Sequence, residues 1–203
     1  MTNVPPASPA DPPVINLADA PGERAAWDRP LWQVLAWSVV ELVLVTNPWQ
    51  ISSALRVAAL RAFGAKIGHQ VVFRPRTRVR FPWKLSIGHR SWIGEGVWLH
   101  NQARITIGSD VVISQESFLT TGSHRHRRDM ALITRPITIG DGAWVTSRAM
   151  VLGGTTLGRS VLVRPMSVVQ GSFDANSVVS GNPATTVGRR FNHAPSGRYA
   201  RDT

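Results

Sequence analysis

Six side chains in this 203-residue chain are of the type that accepts a proton near pH 7: His69, His89, His100, His124, His126 and His193. An imidazole with its ordinary pKa of about 6.5 can take the proton of a hydroxyl, and three converging imidazoles would instead bind a zinc ion. Cysteine is absent, which excludes a thiolate nucleophile, a thiolate metal site and a disulfide framework, and fits a reducing compartment. His124 follows Thr121-Gly122-Ser123 and precedes a strip of arginines, with His126 and Asp129 close behind. His89 lies 35 residues before His124, near the spacing a three-histidine zinc site on stacked coils would want. No third histidine follows His124 at about five residues; Asp129 stands there.

Whatever reacts must be held by the surrounding chain, and that chain is periodic. Apolar residues recur at every sixth position in four series: Ile67, Phe73, Val79; Ile87, Ile93, Leu99; Ile107, Ile113, Leu119; and Ile139, Val145, Val151, Leu157, Val163, Val169. Most series openers are followed by glycine (Gly68, Gly88, Gly108, Gly140, with Gly158 after Leu157). Four residues after each apolar position stands a mostly small or β-branched side chain, such as Ser91, Val97, Thr155 or Ser167. A period of six fits neither an α-helix nor an alternating strand; it is the hexapeptide repeat of a parallel β-helix. Each coil then has three flat sides, with one aliphatic side chain per side stacked on its equivalents above and below. The openers Ile67, Ile87, Ile107, Ile139 and Leu157 imply coils of 20, 20, 32 and 18 residues. The first two coils therefore carry two extra residues each, and fourteen are inserted after Leu119. The inserted loop, about 120–136, contains His124.

The flanks differ in texture. Residues 1–26 are rich in proline and alanine, lack the basic-then-apolar layout of a signal peptide, and read as a disordered tail. Residues 27–64 read as helices. Leu31 to Val45 holds twelve apolar residues in fifteen, broken by Gln33, Ser38 and Glu41, and Asn47-Pro48 stops it. As a helix it would be about 22 Å long, short of the roughly 30 Å of a bilayer core. Gln50 to Phe63 places Ile51, Leu55, Ala58, Ala59 and Phe63 at helical spacing, with Arg56 and Arg61 on the surface. Two readings stand for residues 31–63: packing on the domain or a neighbouring subunit, or peripheral contact with a membrane, helped by arginines and by Trp32, Trp37 and Trp49. No run reaches the roughly 18 apolar residues of a span, so the expectation is a cytoplasmic protein, soluble or peripheral on the inner face of the membrane. Residues 191–203 form a basic tail. The net charge is +11, carried by arginine except at Lys66 and Lys84, and attracts polyanions. Neither a recognition helix nor stacking aromatics on a sheet accompany it, so nucleic acid is not an expected partner.

Several motifs carry a resemblance to a family: Phe63-Gly-Ala-Lys-Ile-Gly68, Pro82-Trp-Lys-Leu-Ser-Ile-Gly88, Ser91-Trp-Ile-Gly94, Val97-Trp-Leu99, Val111-Val-Ile-Ser-Gln115, Thr121-Gly-Ser-His124, Ile137-Thr-Ile-Gly-Asp-Gly-Ala-Trp144 and Gly181-Asn-Pro-Ala184. Over 64–188 the chain resembles the hexapeptide-repeat acetyltransferases, most nearly the colanic acid biosynthesis acetyltransferase group. The resemblance implies an all-β core at 65–190 folded as a left-handed parallel β-helix, against the usual right-handed crossover, behind N-terminal helices. It further implies a homotrimer with each site built from two chains, acetyl-CoA as donor, no metal, and a sugar or glycan acceptor in exopolysaccharide biosynthesis.

An O-acetyl transfer from a thioester needs a base, an oxyanion donor and a slot for the cofactor arm. The resemblance makes His124 the catalytic base. Arg125 replaces the aspartate that commonly follows it, which leaves His126 or Asp129 as groups that could orient it. Asn101 would help bind the acceptor, Trp144 would line the pocket, and the backbone N–H of Ser147 would receive the oxyanion. Gly142, Ala143, Pro165, Met166 and Ser167 would flank the pantetheine arm of coenzyme A. Here the chain departs from the family: Arg164-Pro165-Met166 replaces Gly-Ala-Gly, Gln170-Gly171 replaces Thr-Lys, and Thr185 replaces a lysine. The cofactor phosphates would then rely on Arg164, Arg189 or Arg190. Direct transfer is expected, because no cysteine and no serine–histidine pair is evident. Two rival readings remain: a non-catalytic β-helix scaffold or assembly module, and a zinc enzyme like the γ-class carbonic anhydrases.

Overall fold

A computed structural model describes residues 13–192. From residue 66 onward the chain winds as a prism whose strands stack in parallel into three sheets. The first sheet runs Lys66–Ile67, Leu85–Ile87, Ile105–Ile107, Ile137–Ile139, Thr156–Leu157 and Ser172–Phe173. The second runs Val72–Phe73, Trp92–Ile93, Val112–Ile113, Trp144–Val145, Leu162–Val163 and Ser177–Gly181, ending on the antiparallel strand Ala184–Arg189. The third holds Arg78–Val79, Trp98–His100, Phe118–Thr120, Met150–Leu152 and Val168–Val169. The sheets meet at three edges, called here first (first to second sheet), second (second to third) and third (third back to first).

The register follows the repeat. Ile67, Ile87, Ile107, Ile139, Leu157 and Phe173 stack in one column. Phe73, Val79, Ile93, Leu99, Ile113, Leu119, Val145, Val151, Val163 and Val169 are sealed from solvent. Small corner residues do polar work: the buried Ser91 hydroxyl donates to the Gly108 carbonyl (2.8 Å) and accepts from the Val111 N–H (3.1 Å). The extra residues of the first two coils and the long insertion all fall at the third edge, after Val79, Leu99 and Leu119.

Helix α1 (Leu31–Val40), a π-helical turn (Glu41–Thr46) and α2 (Ser53–Ala62) close the open end of the first coil. An open coil presents unpaired backbone groups that invite edge-to-edge pairing. Helix side chains satisfy them on all three sheets. On the third sheet, Trp37 Nε1 donates to Val79 O (2.8 Å) and the Glu41 carboxylate accepts from Val79 N (2.6 Å). On the second, Ser53 Oγ accepts from Phe73 N (2.8 Å). On the first, Arg61 donates to Ile67 O (2.8 Å). Burial pushes the Glu41 carboxyl above its ordinary range, while the Val79 N–H pulls the other way.

Three expectations change. The helix expected through Val45 is α only to Val40, and the wider π turn carries Glu41 to Val79. Arg56 is not on the surface: it is sealed beneath α2, with Nε donating to Val45 O (3.2 Å) and Nη1 to Phe73 O (3.4 Å). Of the tail expected to be disordered, residues 1–12 lie outside the described residues, but 13–26 lie along the third edge. There Glu23 pairs with Arg80 and accepts from Gln102 Nε2 (2.8 Å), and Lys84 pairs with Asp28 just beyond (2.8 Å). Residues 193–203, with His193 and most of the basic tail, lie outside the described residues.

Candidate active site

The insertion at the third edge is an antiparallel ribbon. Gly122–His124 pairs with Leu132–Thr134, and His124 stands opposite Leu132. Its turn is tied by an ion pair between Arg125 and Asp129 (2.7 Å), by Arg125 N donating to Ala131 O (2.9 Å), and by Ala131 N donating to the Asp129 carboxylate (3.0 Å). The Arg125 that departs from the family pattern thus takes Asp129 for itself. His124 is oriented by neither Asp129 nor His126: its Nδ1 lies 2.7 Å from the Met130 carbonyl oxygen. A carbonyl only accepts, so that contact keeps the proton on Nδ1 and leaves the Nε2 lone pair free in the neutral ring. The ring is exposed and borders a cavity of about 330 Å³ lined by Thr121, Ser123, Ile133, Arg135, Leu152 and Gln170, among others.

Asn101 sits at the same edge one coil earlier, but is sealed from solvent. Its Oδ1 accepts from Phe81 N (2.9 Å) and its Nδ2 donates to Phe81 O (2.6 Å). Both amide atoms therefore secure the coil corner and are turned away from an acceptor.

The other predicted residues gather around the second sheet. Trp144 lies on its outer face with Nε1 donating to Ser114 Oγ (2.8 Å). Ser147 lies on the second edge with its hydroxyl on Gln115 Oε1 (3.1 Å), and no described residue accepts from its backbone N–H. The next coil places Arg164, Pro165 and Met166 directly above, with Met166 N donating to Ser147 O (3.2 Å). Pro165 has no N–H, so Ser147 is the uppermost of these two to offer one. Gly142 is at the first edge, where Arg190 donates to its carbonyl (2.8 Å). Ala143 and Ser167 are sealed from solvent, with the Ala143 N–H donating to Gly140 O and its carbonyl accepting from Val112 N, so neither offers an exposed group to the cofactor arm expected to pass them. Arg164 and Arg189 are exposed and pair with no carboxylate among the described residues.

His124 and Ser147 therefore stand on different edges of one prism. One side of six residues at about 3.3 Å each separates them by roughly 20 Å. His69 and His89 stack on the first edge, ring centroids 5.3 Å apart, away from His124. Among the described residues no three histidine, aspartate or glutamate groups converge on a metal position.

No family model matches the chain. The Escherichia coli K12 protein named "Putative colanic acid biosynthesis acetyltransferase WcaF" is 40% identical over 157 residues, 77% of this chain and 86% of that protein. The chain belongs to the hexapeptide-repeat acetyltransferases. A hexapeptide-repeat acetyltransferase from Vibrio cholerae, solved with acetyl-CoA, matches with a TM-score of 0.70 at 25% identity, over 83% of this chain and 88% of that one. A galactoside acetyltransferase in complex with coenzyme A shares the fold at 17% identity, TM-score 0.71, over 79% of this chain and 82% of that one. The expected left-handed β-helix is the fold of this acetyltransferase. Two of its features escape sequence reasoning: the Met130 carbonyl, because a backbone group has no residue-type signature, and the Gln115–Ser147 contact, whose partners only the coil stacking brings together.

Proposed function

We propose that this acetyltransferase moves an acetyl group from acetyl-CoA to a sugar hydroxyl in exopolysaccharide biosynthesis, as a homotrimer working in the cytoplasm. The observation that carries the reading is the division between edges: an oriented imidazole at the third edge, and around the second sheet the Ser147 N–H, which no described residue accepts from, an exposed indole, and the exposed Arg164 and Arg189, which join no ion pair among the described residues. Neither half suffices alone. A cyclic trimer brings the third edge of one subunit against the second sheet of the next, which completes one site at each interface.

In that site the pantetheine arm lies along the outer corner of Arg164, Pro165 and Met166, and the cofactor phosphates meet Arg164, Arg189 or Arg190. His124 Nε2 removes the proton of the acceptor hydroxyl as its oxygen attacks the thioester carbonyl carbon. The Ser147 N–H donates to the oxyanion that develops, the carbon–sulfur bond breaks, and the proton held by His124 passes to the departing thiolate. The Met130 carbonyl holds the charged ring in place. A sugar acceptor is supported by the relatives' names, which include an E. coli "Galactoside O-acetyltransferase", 24% identical over 151 residues, 72% of this chain and 74% of that protein.

The test is thiol release from acetyl-CoA across a panel of sugar and glycan acceptors. His124→Ala should lower turnover at least about 100-fold with the melting temperature unchanged. A variant that keeps a third of the parental rate would remove His124 from the chemistry.

A further inference from the structure

The outer face of the helical cap is apolar, and no described residue covers it. Val34, Trp37 and Val45 pack inward on the first coil. Trp32, Leu35, Val39 and Leu42 form the opposite stripe of the same helical run and are 57–69% exposed, and Trp49 (90%) and Ile51 (87%) extend the surface toward α2. A helix apolar on both faces needs a second apolar medium, and a patch of this size marks an interaction surface. Directly behind it is a belt of one sign: residues 50–84 contain eight arginines and lysines and no aspartate or glutamate. Arg61, Lys66, Arg74 and Arg78 are exposed there, and none joins an ion pair among the described residues.

We infer that the cap docks on an anionic phospholipid surface. The tryptophan and leucine stripe enters the boundary between headgroups and acyl chains, and the belt meets the lipid phosphates. The run lies in the surface, because no helix among the described residues is long and apolar enough to cross a membrane. A second copy of this chain is the poorer occupant of this face: it would bring the same acid-free belt against the first. With the cap at the end of the prism, the coil axis stands away from the bilayer and the His124 ribbon lies two coils above it.

The test is sedimentation of the full chain with vesicles of phosphatidylglycerol and phosphatidylcholine, compared with phosphatidylcholine alone. Binding should be at least about tenfold tighter to the anionic vesicles and should weaken as salt is raised. The triple variant Trp32→Ser, Leu35→Ser, Leu42→Ser should lose at least about tenfold in binding, and Lys66→Glu with Arg74→Glu should lose the preference for anionic lipid. Both variants should keep the parental melting temperature and the parental rate on a soluble acceptor. Failure of the parent to sediment with anionic vesicles, or equal sedimentation by the triple variant, overturns the inference. So does a triple variant whose molar mass by light scattering falls below that of the parent, since the stripe would then be a subunit contact.

Discussion

Two inactive variants of this enzyme should revive each other. His124→Ala removes the proposed base at the third edge and leaves the second sheet untouched. Ser147→Trp places an indole on the second edge, over a N–H already bordered by Gln115 below and Met166 above, and leaves the ribbon untouched. Each variant alone should retain no more than about one hundredth of parental turnover. Co-expressed in equal amounts and assembled at random, each interface of a cyclic trimer draws its two faces independently. The intact ribbon meets the open slot with a probability of one half times one half, so the mixture should recover about one quarter of parental turnover. Thiol release from acetyl-CoA reads the rate, and native mass spectrometry checks that mixed trimers form. If mixed trimers are abundant and the mixture is no more active than the average of the two variants, the split site is wrong.

Other perturbations test the frame that holds this site. Trp37 is sealed in the cap, bonded to Val79 O and packed on Phe63 with centroids 5.2 Å apart, so Trp37→Ala should cost about 3–5 kcal/mol in urea unfolding. A Cβ at Gly158 would lie 2.5 Å from Ala175 N in the next coil, whereas one at Gly188 meets nothing within 4 Å. Gly158→Ala should therefore lose about 1–3 kcal/mol and Gly188→Ala should not be destabilised, by thermal melting of both. Burial, and secondarily Arg80, hold His100 below the ordinary histidine value of 6.5. The native state then binds fewer protons than the unfolded chain, so the contribution of His100 to stability is full above pH 6.5 and is lost as pH falls below it. His100→Gln should flatten that part of the stability profile.

The prism is legible because its physics repeats: each side buries one aliphatic residue, so Ile67 to Val169 announce it at every sixth position. His124 stands out through its local motif and its place in the one long interruption, and its role as base is the proposal that the mixed-variant experiment tests. The cap is legible only as helix. Its polar residues serve edge strands through contacts with no period, so Glu41 looks like a break in an apolar run and Arg56 like a surface cation until Val79, Val45 and Phe73 are seen beside them. Asn101 misleads for a related reason. An amide that closes a buried corner and an amide that holds an acceptor are the same residue type, and only its two contacts with Phe81 tell them apart.

The placement of the proposed base, His124, on an insertion follows from how the rest of the prism is built. Neighbouring coils approach so closely that glycine is needed where they touch, as at Gly140, where a Cβ would lie 2.8 Å from Arg159 N. Side chains on the flat faces are confined to short stacks, such as Arg78, Trp98 and Phe118. The third edge is where coils are enlarged, and its first two enlargements bind the N-terminal segment through Arg80, Lys84 and Gln102. The third enlargement projects as the ribbon that carries His124. The Arg125–Asp129 pair that ties its turn is half exposed and so worth no more than about 1 kcal/mol to stability. What the pair supplies is position: it fixes the turn whose Met130 carbonyl holds the His124 imidazole.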